Sequence, residues 1–333
     1  MSADRHYTLL IALLAILTLA LFLLSLTTGP AGIAFAHSMK ALLSDKADGV
    51  ALIMREIRLP RALLGLMIGA TLGLSGAVLQ GYLRNPLAEP GLLGISASAS
   101  LGAVLAIYTG LSASFLLALP LAALAGAVAA VLVVQAIAGA RGGALLVILA
   151  GIAISSFAGA MTSLALNLSP NPFAAVEIMF WMLGSLTDRS MVHVWLAAPF
   201  MLIGWAMLGS LGRALDALTL GSETAASMGI GLRKVQFLAV FGTAAGVGAA
   251  TAVAGAIGFV GLVVPHILRP LVGARPSRLL PASALGGACM VLAADILVRI
   301  VAPERDLKLG VLTAIVGAPF FLWLVFRTRR SLL

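Results

Sequence analysis

Residues 80–94 read QGYLRNPLAEPGLLG and set Arg84, Asn85, Pro86, Glu89 and Pro90 close together in an otherwise oily chain. Polar, helix-breaking residues are costly in a membrane unless they lie at its edge or line a protected space. Elsewhere the chemistry is sparse. Asp295 is the one carboxylate within an apolar run, and Arg299 follows four residues later on the same helical face, where the pair can neutralise itself. His266 stands beside a lone Arg269, while His6, His37 and His193 are scattered, so no haem-, iron- or other metal-ligand constellation is expected. Cys289 is the single cysteine, which excludes an intramolecular disulfide. No GxxxxGK[ST] phosphate loop occurs, so the chain cannot hydrolyse ATP by that route. No ladder of ionisable groups runs through the apolar segments, which counts against an ion-driven carrier without excluding one.

The elements that hold these residues must be membrane helices. Of 333 residues, 61% are hydrophobic and 10% charged, with mean hydropathy +1.12. About 20 apolar residues cover a hydrocarbon core of roughly 30 Å. Breaks between apolar runs predict ten spans, at roughly 9–29, 62–83, 94–109, 114–137, 144–167, 191–211, 235–256, 258–272, 280–299 and 309–326. The eighth is short and glycine-rich. Arg5 and His6 precede the first run, and Ala34-Phe35-Ala36 has the look of a cleavage site; the run is longer than a usual signal core and reads as span 1. With the N-terminus in the cytoplasm, 12 of the 21 Lys and Arg fall inside and 9 outside, and the RTRR at 327–330 falls inside. Both termini are then cytoplasmic. The basic outer face implies either an acidic partner or side chains that snorkel at helix ends.

Small residues predict how the helices meet. Gly65, Gly69, Gly73, Ala77 and Gly81 recur every fourth position in span 2, a spacing that lets backbones approach closely. In span 5 the same spacing takes Gly151, Ser155, Gly159, Ser163 and Asn167, whose hydroxyls and amide suit either packing or the wall of a passage. Between spans 6 and 7, residues 212–234 form the longest predicted cytoplasmic segment. It reads as a short helix, a glycine turn and a second helix capped by Ser222, with Glu223 and Thr224 in its first turn and Gly229 and Gly231 at its end.

Several stretches occur in order: Arg58-Leu59-Pro60-Arg61, GLSGAVLQ, RNPLAEPGLLGIS, Trp181-Met182-Leu183-Gly184-Ser185, LGSETAASMG, GAIGFVGLVVPHILRPLVG, Ala294-Asp295 through Arg299, and LGVLTAIVGAPFFLWL. Together they resemble the FecCD family of permeases, over about residues 50–327. The resemblance implies an all-α polytopic membrane protein of about ten helices with type II ABC importer permease architecture, forming a single transmembrane domain over 1–333. It implies a transport subunit rather than an enzyme, moving iron–siderophore, haem or vitamin B12 into the cytoplasm across a bacterial inner membrane. The expected partners are a second permease subunit as a homodimer, two cytoplasmic ATPase subunits carrying ATP and Mg, and an external solute-binding protein. No nucleic acid and no cofactor or metal on this chain are expected.

Residue by residue, the resemblance assigns Asn85 and Leu87 to a cytoplasmic gate, and Gly221, Ser222, Glu223, Ala225 and Gly229 to the coupling segment that meets the ATPase. It puts Arg58, Arg61 and Arg299 where glutamates of the binding protein dock, and the importer it implies leaves Ser155, Gly159, Ser163 and Asn167 to line the path. Two halves of opposite orientation, spans 2–5 and 7–10, are also implied, with faint support in the residues. Ser98 and Lys308 depart from the usual glycine and proline. An ion-coupled secondary transporter working without an ATPase is the alternative from another class, and a membrane scaffold is a third.

Overall fold

The computed structural model describes residues 3–29, 35–43, 48–115, 117–139, 143–169, 171–302 and 307–330. The described residues are helical or irregular, with no strand. The helices, in chain order, are α1 (Ala3–Thr27), α2 (Phe35–Leu43), α3 (Gly49–Leu52), α4 (Leu59–Tyr82), α5 (Ile95–Tyr108), α6 (Leu111–Ser114), α7 (Ala118–Ala138), α8 (Ala144–Asn167), α9 (Pro172–Met182), α10 (Met191–Gly209), α11 (Gly212–Leu218), α12 (Ser222–Ser227), α13 (Leu232–Ala254), α14 (Val260–Leu268), α15 (Pro276–Val301) and α16 (Leu309–Arg330). A π-helical stretch, Ile53–Arg58, joins α3 to α4.

Eight helices among the described residues are long and apolar enough to cross a membrane. Two of the ten expected spans fall short. Helix α5 has 14 residues and α14 has 9, about 21 Å and 14 Å at 1.5 Å per residue. Both follow breaks that fold back into the bundle, over residues 83–94 and 255–259, so part of the depth is covered by irregular backbone. Such backbone is tolerated at membrane depth where protein buries it. Helix α9 was not anticipated as an element; Pro172 opens it, and the Asn171 side chain caps it by accepting from Phe173 N–H at 2.9 Å.

Helices α4 and α13 form the centre. Burial takes 83% of the apolar window of α4 and 78% of that of α13, against 22% for α1, α8 and α16. The glycine spacing of span 2 explains the first value. A methyl group on Gly73 would lie 2.0 Å from Ser283 O, and one on Gly69 would lie 2.3 Å from Gly287 O. Gly65, Gly69 and Gly73 of that stripe therefore zip onto α15, Gly81 packs on Leu215 of α11, and the packing role expected of the stripe holds. Trp205 Nε1–H of α10 donates to Thr71 Oγ1 of α4 at 2.8 Å, adding a polar tie to this apolar core.

Two ends of the bundle can be named by their carboxylates. At the Asp295 end lie the finish of α1 and α15 and the start of α4. At the Asp216 end lie α11, the start of α15 and the finish of α4. Arg278, in the first turn of α15, pairs with Asp4 and lies over the Tyr7 ring, so α1 starts at the Asp216 end. Helix α16 runs toward that same end, where Phe320 meets the His266 ring edge-on. The described chain thus starts and finishes on one side, as an even number of crossings requires.

Contacts also fix helix directions. Residues 59–167 run as α4, break, α5, α7, α8, and residues 232–330 run as α13, break, α14, α15, α16, each step opposite in direction to its counterpart. The two inverted halves are thus present in the backbone, although side-chain patterns gave them little support.

Candidate functional site

At the Asp295 end, Arg61 and Arg299 share one carboxylate and Arg58 lies beside them against the end of α1. Arg61 Nη2 is 2.9 Å from Asp295 Oδ1, with Nε donating to the same oxygen at 2.9 Å. Arg299 Nη2 is 2.7 Å from Oδ2, four residues along the same helix, so the pairing expected from spacing is formed and is joined by a third partner. Further donors reach the end of α1, whose last carbonyls have no partner within the helix. Arg299 Nη1 donates to Ser25 O and Thr28 O at 2.9 and 2.8 Å, and Arg58 Nη1 donates to Leu26 O and Thr27 O, both at 3.1 Å. Cations at a helix C-terminus are favoured by its dipole.

The residues expected to form the docking rim are tied into the protein. The side chains of Arg61 and Arg299 are 15% and 8% exposed, Arg58 is 4% exposed overall, and all three point inward. The orphan carbonyls of α1 and the buried Asp295 claim their donors first. The cluster still carries three positive charges against one negative.

At the Asp216 end, the chain between α4 and α5 is more than a surface turn. Arg84 takes a left-handed φ of 48°. Asn85 Oδ1 then accepts Leu87 N–H at 2.9 Å, and Asn85 O accepts Ala88 N–H at 3.1 Å. This asparagine turn aims the chain back into the bundle. Pro90 reaches Gly261 of α14, where a methyl group would lie 2.7 Å from the ring Cδ, and Gly261 itself packs on Gly76. Gly76 is six residues before the end of α4, so the loop climbs about 9 Å into the protein. Glu89 Oε1 accepts the N–H of Phe259 at 3.1 Å. The break of one half is thereby bonded to the break of the other. Asn85 and Leu87, the expected gate residues, are half-buried in this loop.

Three residues that sequence reasoning left without a role complete this region. Gln80 Oε1 accepts from Arg269 Nη2 at 2.6 Å, while its Nε2 faces Gly261 O and Leu262 O at 3.3 Å. Glu89 is the third. Gln80 was visible as an amide in an apolar run, and Glu89 as a carboxylate between two prolines. Their partners lie nearly two hundred residues away, which no local pattern announces.

The 212–234 segment contains the two short helices anticipated, α11 and α12, separated by Gly221 at φ 104°. Asp216 Oδ1 accepts Ser277 N–H at 2.8 Å and Oδ2 pairs with Arg275 Nε at 3.0 Å, fastening α11 to the start of α15. Partial burial alone would raise the Asp216 carboxyl, but the Ser277 bonds and the Arg275 cation outweigh it and hold it below the ordinary aspartate value. One expectation fails here. Gly221 occupies the N-cap of α12, and Ser222 is its first helical residue with no capping bond, because the chain enters through a backbone form that only glycine takes readily. The other end is as expected. Gly229 (φ 85°) donates to Ala226 O, and Ile230 N–H to Ala225 O, both at 3.0 Å, closing the helix in a Schellman motif. Ala225 is fully buried, whereas Glu223, Leu220 and Met228 are exposed. A cavity of about 500 Å³ between Arg84, Ser222, Arg233 and Gln236 separates this segment from the 83–94 loop.

Ser155, Gly159, Ser163 and Asn167 lie along one side of α8. Ser155 is half-buried and the other three are exposed, with no atom within 4 Å of a methyl built on Gly159. Gly151, which opens the stripe, is buried against Leu92 O. A separate apolar cavity of about 780 Å³ between α5, α7 and α8, lined by Ser98, Gly126 and Phe157 among others, does not include the stripe. Among the described residues no group of three or more His, Cys, Asp or Glu could hold a metal ion.

A bundle with two inverted halves, each broken beside a buried central helix, and a helical segment fastened across one end, is a polytopic transport permease. Residues 17–327 match the model of the FecCD transport family, and the chain belongs to that family as a transmembrane permease subunit. It is 38% identical over 326 residues to the Fe(3+) dicitrate transport system permease protein FecD of Escherichia coli, covering 96% of this chain and 99% of that one. It is 37% identical over 324 residues to the hemin transport system permease protein HmuU of Yersinia pestis, covering 96% of each. It is 38% identical over 280 residues to the vitamin B12 import system permease protein BtuC of Klebsiella pneumoniae, covering 84% and 83%. A solved structure described as an inward-facing conformation of a metal-chelate type ABC transporter superposes with a TM-score of 0.84 at 30% identity, covering 95% of this chain and 98% of that one. The architecture is that of an ABC importer permease.

Proposed function

We propose that this chain is the membrane conduit of an ATP-driven importer that moves a metal chelate of the iron–citrate, haem or cobalamin kind into the cytoplasm of a bacterium. Two copies pair as a homodimer, two ATPase subunits bind at the Asp216 end, and a solute-binding protein docks at the Asp295 end. The observation that carries this reading is the α11–α12 segment, fastened by Asp216 at the same end as the bonded breaks and offering Leu220, Glu223 and Met228 outward. A short helix presented beyond the membrane suits a groove on a partner.

In the cycle so proposed, binding of ATP and Mg on the partner moves the Gly221–Gly229 segment. The loop holding Asn85 and Leu87 opens or closes the path at that end, and the solute passes along the exposed Ser155, Gly159, Ser163 and Asn167 of paired copies. A permeant solute must leave as well as enter, so a polar wall without tight ligands suits it. At the other end the arginine cluster acts through its surplus positive charge, which draws an acidic partner and fixes its orientation more than it adds affinity. No bond is made or broken on this chain.

Cysteines placed at Leu220 and Met228 in a Cys289→Ala background should cross-link to the purified ATPase subunit in membranes. Cross-linking from neither position, with the complex demonstrably assembled, would overturn the assignment of the coupling segment.

A further inference from the structure

Helix α14 has ties at both ends that its length does not require. At its start, Phe259 N–H donates to Glu89 Oε1 of the gate loop at 3.1 Å. Phe259 holds a left-handed φ of 67° there, a form that a bulky residue keeps only when its surroundings impose it. Along its first turn, Gly261 is wedged between Pro90 of the gate loop and Gly76 of α4. At its finish, Arg269 Nη2 donates to Gln80 Oε1 at 2.6 Å, and the backbone oxygen of that same Gln80 accepts Asn85 N–H at 3.2 Å. The gate loop is therefore attached to α14 at one end through Glu89 and at the other through Gln80.

Beyond Arg269 the chain has little slack. Pro270–Val272 form a 3-10 turn, and Ala274, left-handed at φ 56°, donates back to Arg269 O at 2.9 Å. The next residue is Arg275, which pairs with Asp216 of α11. One short stiff path thus joins the coupling segment to the gate: α11, Asp216, Arg275, the 270–274 turn, Arg269, then Gln80 and α14 with the loop 83–94.

We infer that α14 is the rigid link through which movement of the α11–α12 segment is passed to the gate loop, with Arg269 as the positioning residue that grips Gln80. The inference rests on the importer reading above and adds to it which element carries the stroke. Arg269 suits the task because a guanidinium keeps its charge when buried and offers several donors from a planar fork. Its Nε is buried with no acceptor, so the residue meets its surroundings on one side only and can re-pair when the turn moves.

The test uses the complete importer in nanodiscs, with spin labels in the Cys289→Ala background and ATP–vanadate as the probe. One label pair, at Leu220→Cys and Ile137→Cys, reports the coupling segment. The other, at Gly91→Cys and Ile137→Cys, reports the gate loop; Gly91 is exposed and a side chain there would meet only Glu89 Oε1, at 3.8 Å. In the otherwise unaltered chain both distances should shift on trapping. In Arg269→Met the coupling shift should persist while the gate shift falls at least fivefold. Gln80→Glu, which keeps an acceptor for Arg269, should retain most of the gate shift and guards against a variant that merely fails to fold.

A gate shift of full size in Arg269→Met overturns the link while leaving the importer reading intact. A coupling segment that does not respond to nucleotide in the unaltered chain overturns both, since the link then has no driver.

Discussion

Asp295 carries more than one side chain ordinarily does, because two buried guanidiniums depend on it. Its side chain is 2% exposed, and its loss would leave Arg61 and Arg299 facing each other without a counter-charge. Removing one partner of a buried ion pair typically costs about 3–5 kcal/mol. Asp295→Asn should therefore lower the thermal unfolding midpoint in detergent markedly, and Asp295→Glu much less; equal midpoints for Asn and the native residue would contradict the cluster. The i,i+4 spacing made the Asp295–Arg299 half of this cluster readable beforehand. Arg61 and the α1 carbonyls were not, since they come from elements more than 230 residues away in sequence. The arginine motifs brought Arg58, Arg61 and Arg299 together in the reading, but not the partners that take their donors. Spacing locates a charge along a helix, and only packing decides which neighbour claims its donors.

At the scale of elements, close backbone contact decides what can be changed. A methyl group on Gly76 would lie 1.9 Å from Gly261 O, a backbone atom that cannot yield without moving α14. Overpacking of this kind costs about 1–3 kcal/mol, so Gly76→Ala should lower the unfolding midpoint and disturb the 83–94 loop packed on α14. Gly159→Ala, on the open side of α8, should change the stability of the single chain by under about 0.5 kcal/mol and leave its midpoint nearly unmoved; similar losses at both sites would contradict the contact pattern.

The α11 anchor gives a pH prediction. Asp216 lies below the ordinary aspartate value when folded, so its contribution is complete above that ordinary value, about 3.9, and is lost as pH falls through the lowered one. Amide exchange over 212–220, corrected for intrinsic rates, should rise at the acid end of the range. Asp216→Asn should reproduce that rise at neutral pH, and unchanged protection in both cases would contradict the anchor.

Elements differed in how legible they were. Span 5 was read with its observed bounds because Ala144–Asn167 is a long run without a charge, a proline or a break. Spans 3 and 8 were read as crossings because apolar composition cannot separate a helix from buried irregular backbone. Helix α9 was missed because its proline-opened eleven residues fall below the length of a span.

At the scale of the whole molecule, helices α4, α13 and α15 form a frame held by glycine contacts and buried polar ties, and the two breaks between helices are bonded to each other within it. The family was legible from motifs in order, and about ten helices from the breaks between apolar runs, while the inverted halves emerge only from helix directions. The two short helices of residues 212–234 were legible because glycine punctuation and polar composition set them apart. The bond between Glu89 and Phe259, which joins the halves, was not, because it pairs a side chain with a backbone amide 170 residues on.

The central claim is that the chain conducts but does not power transport. The most direct measurement is uptake of ferric dicitrate, hemin and cyanocobalamin into proteoliposomes containing this chain, with or without the cognate ATPase and binding protein. One of the three should accumulate against its gradient only when both partners and ATP are supplied, and none should accumulate with this chain alone under an imposed proton or sodium gradient. Concentrative uptake by the purified chain under such a gradient would contradict the account.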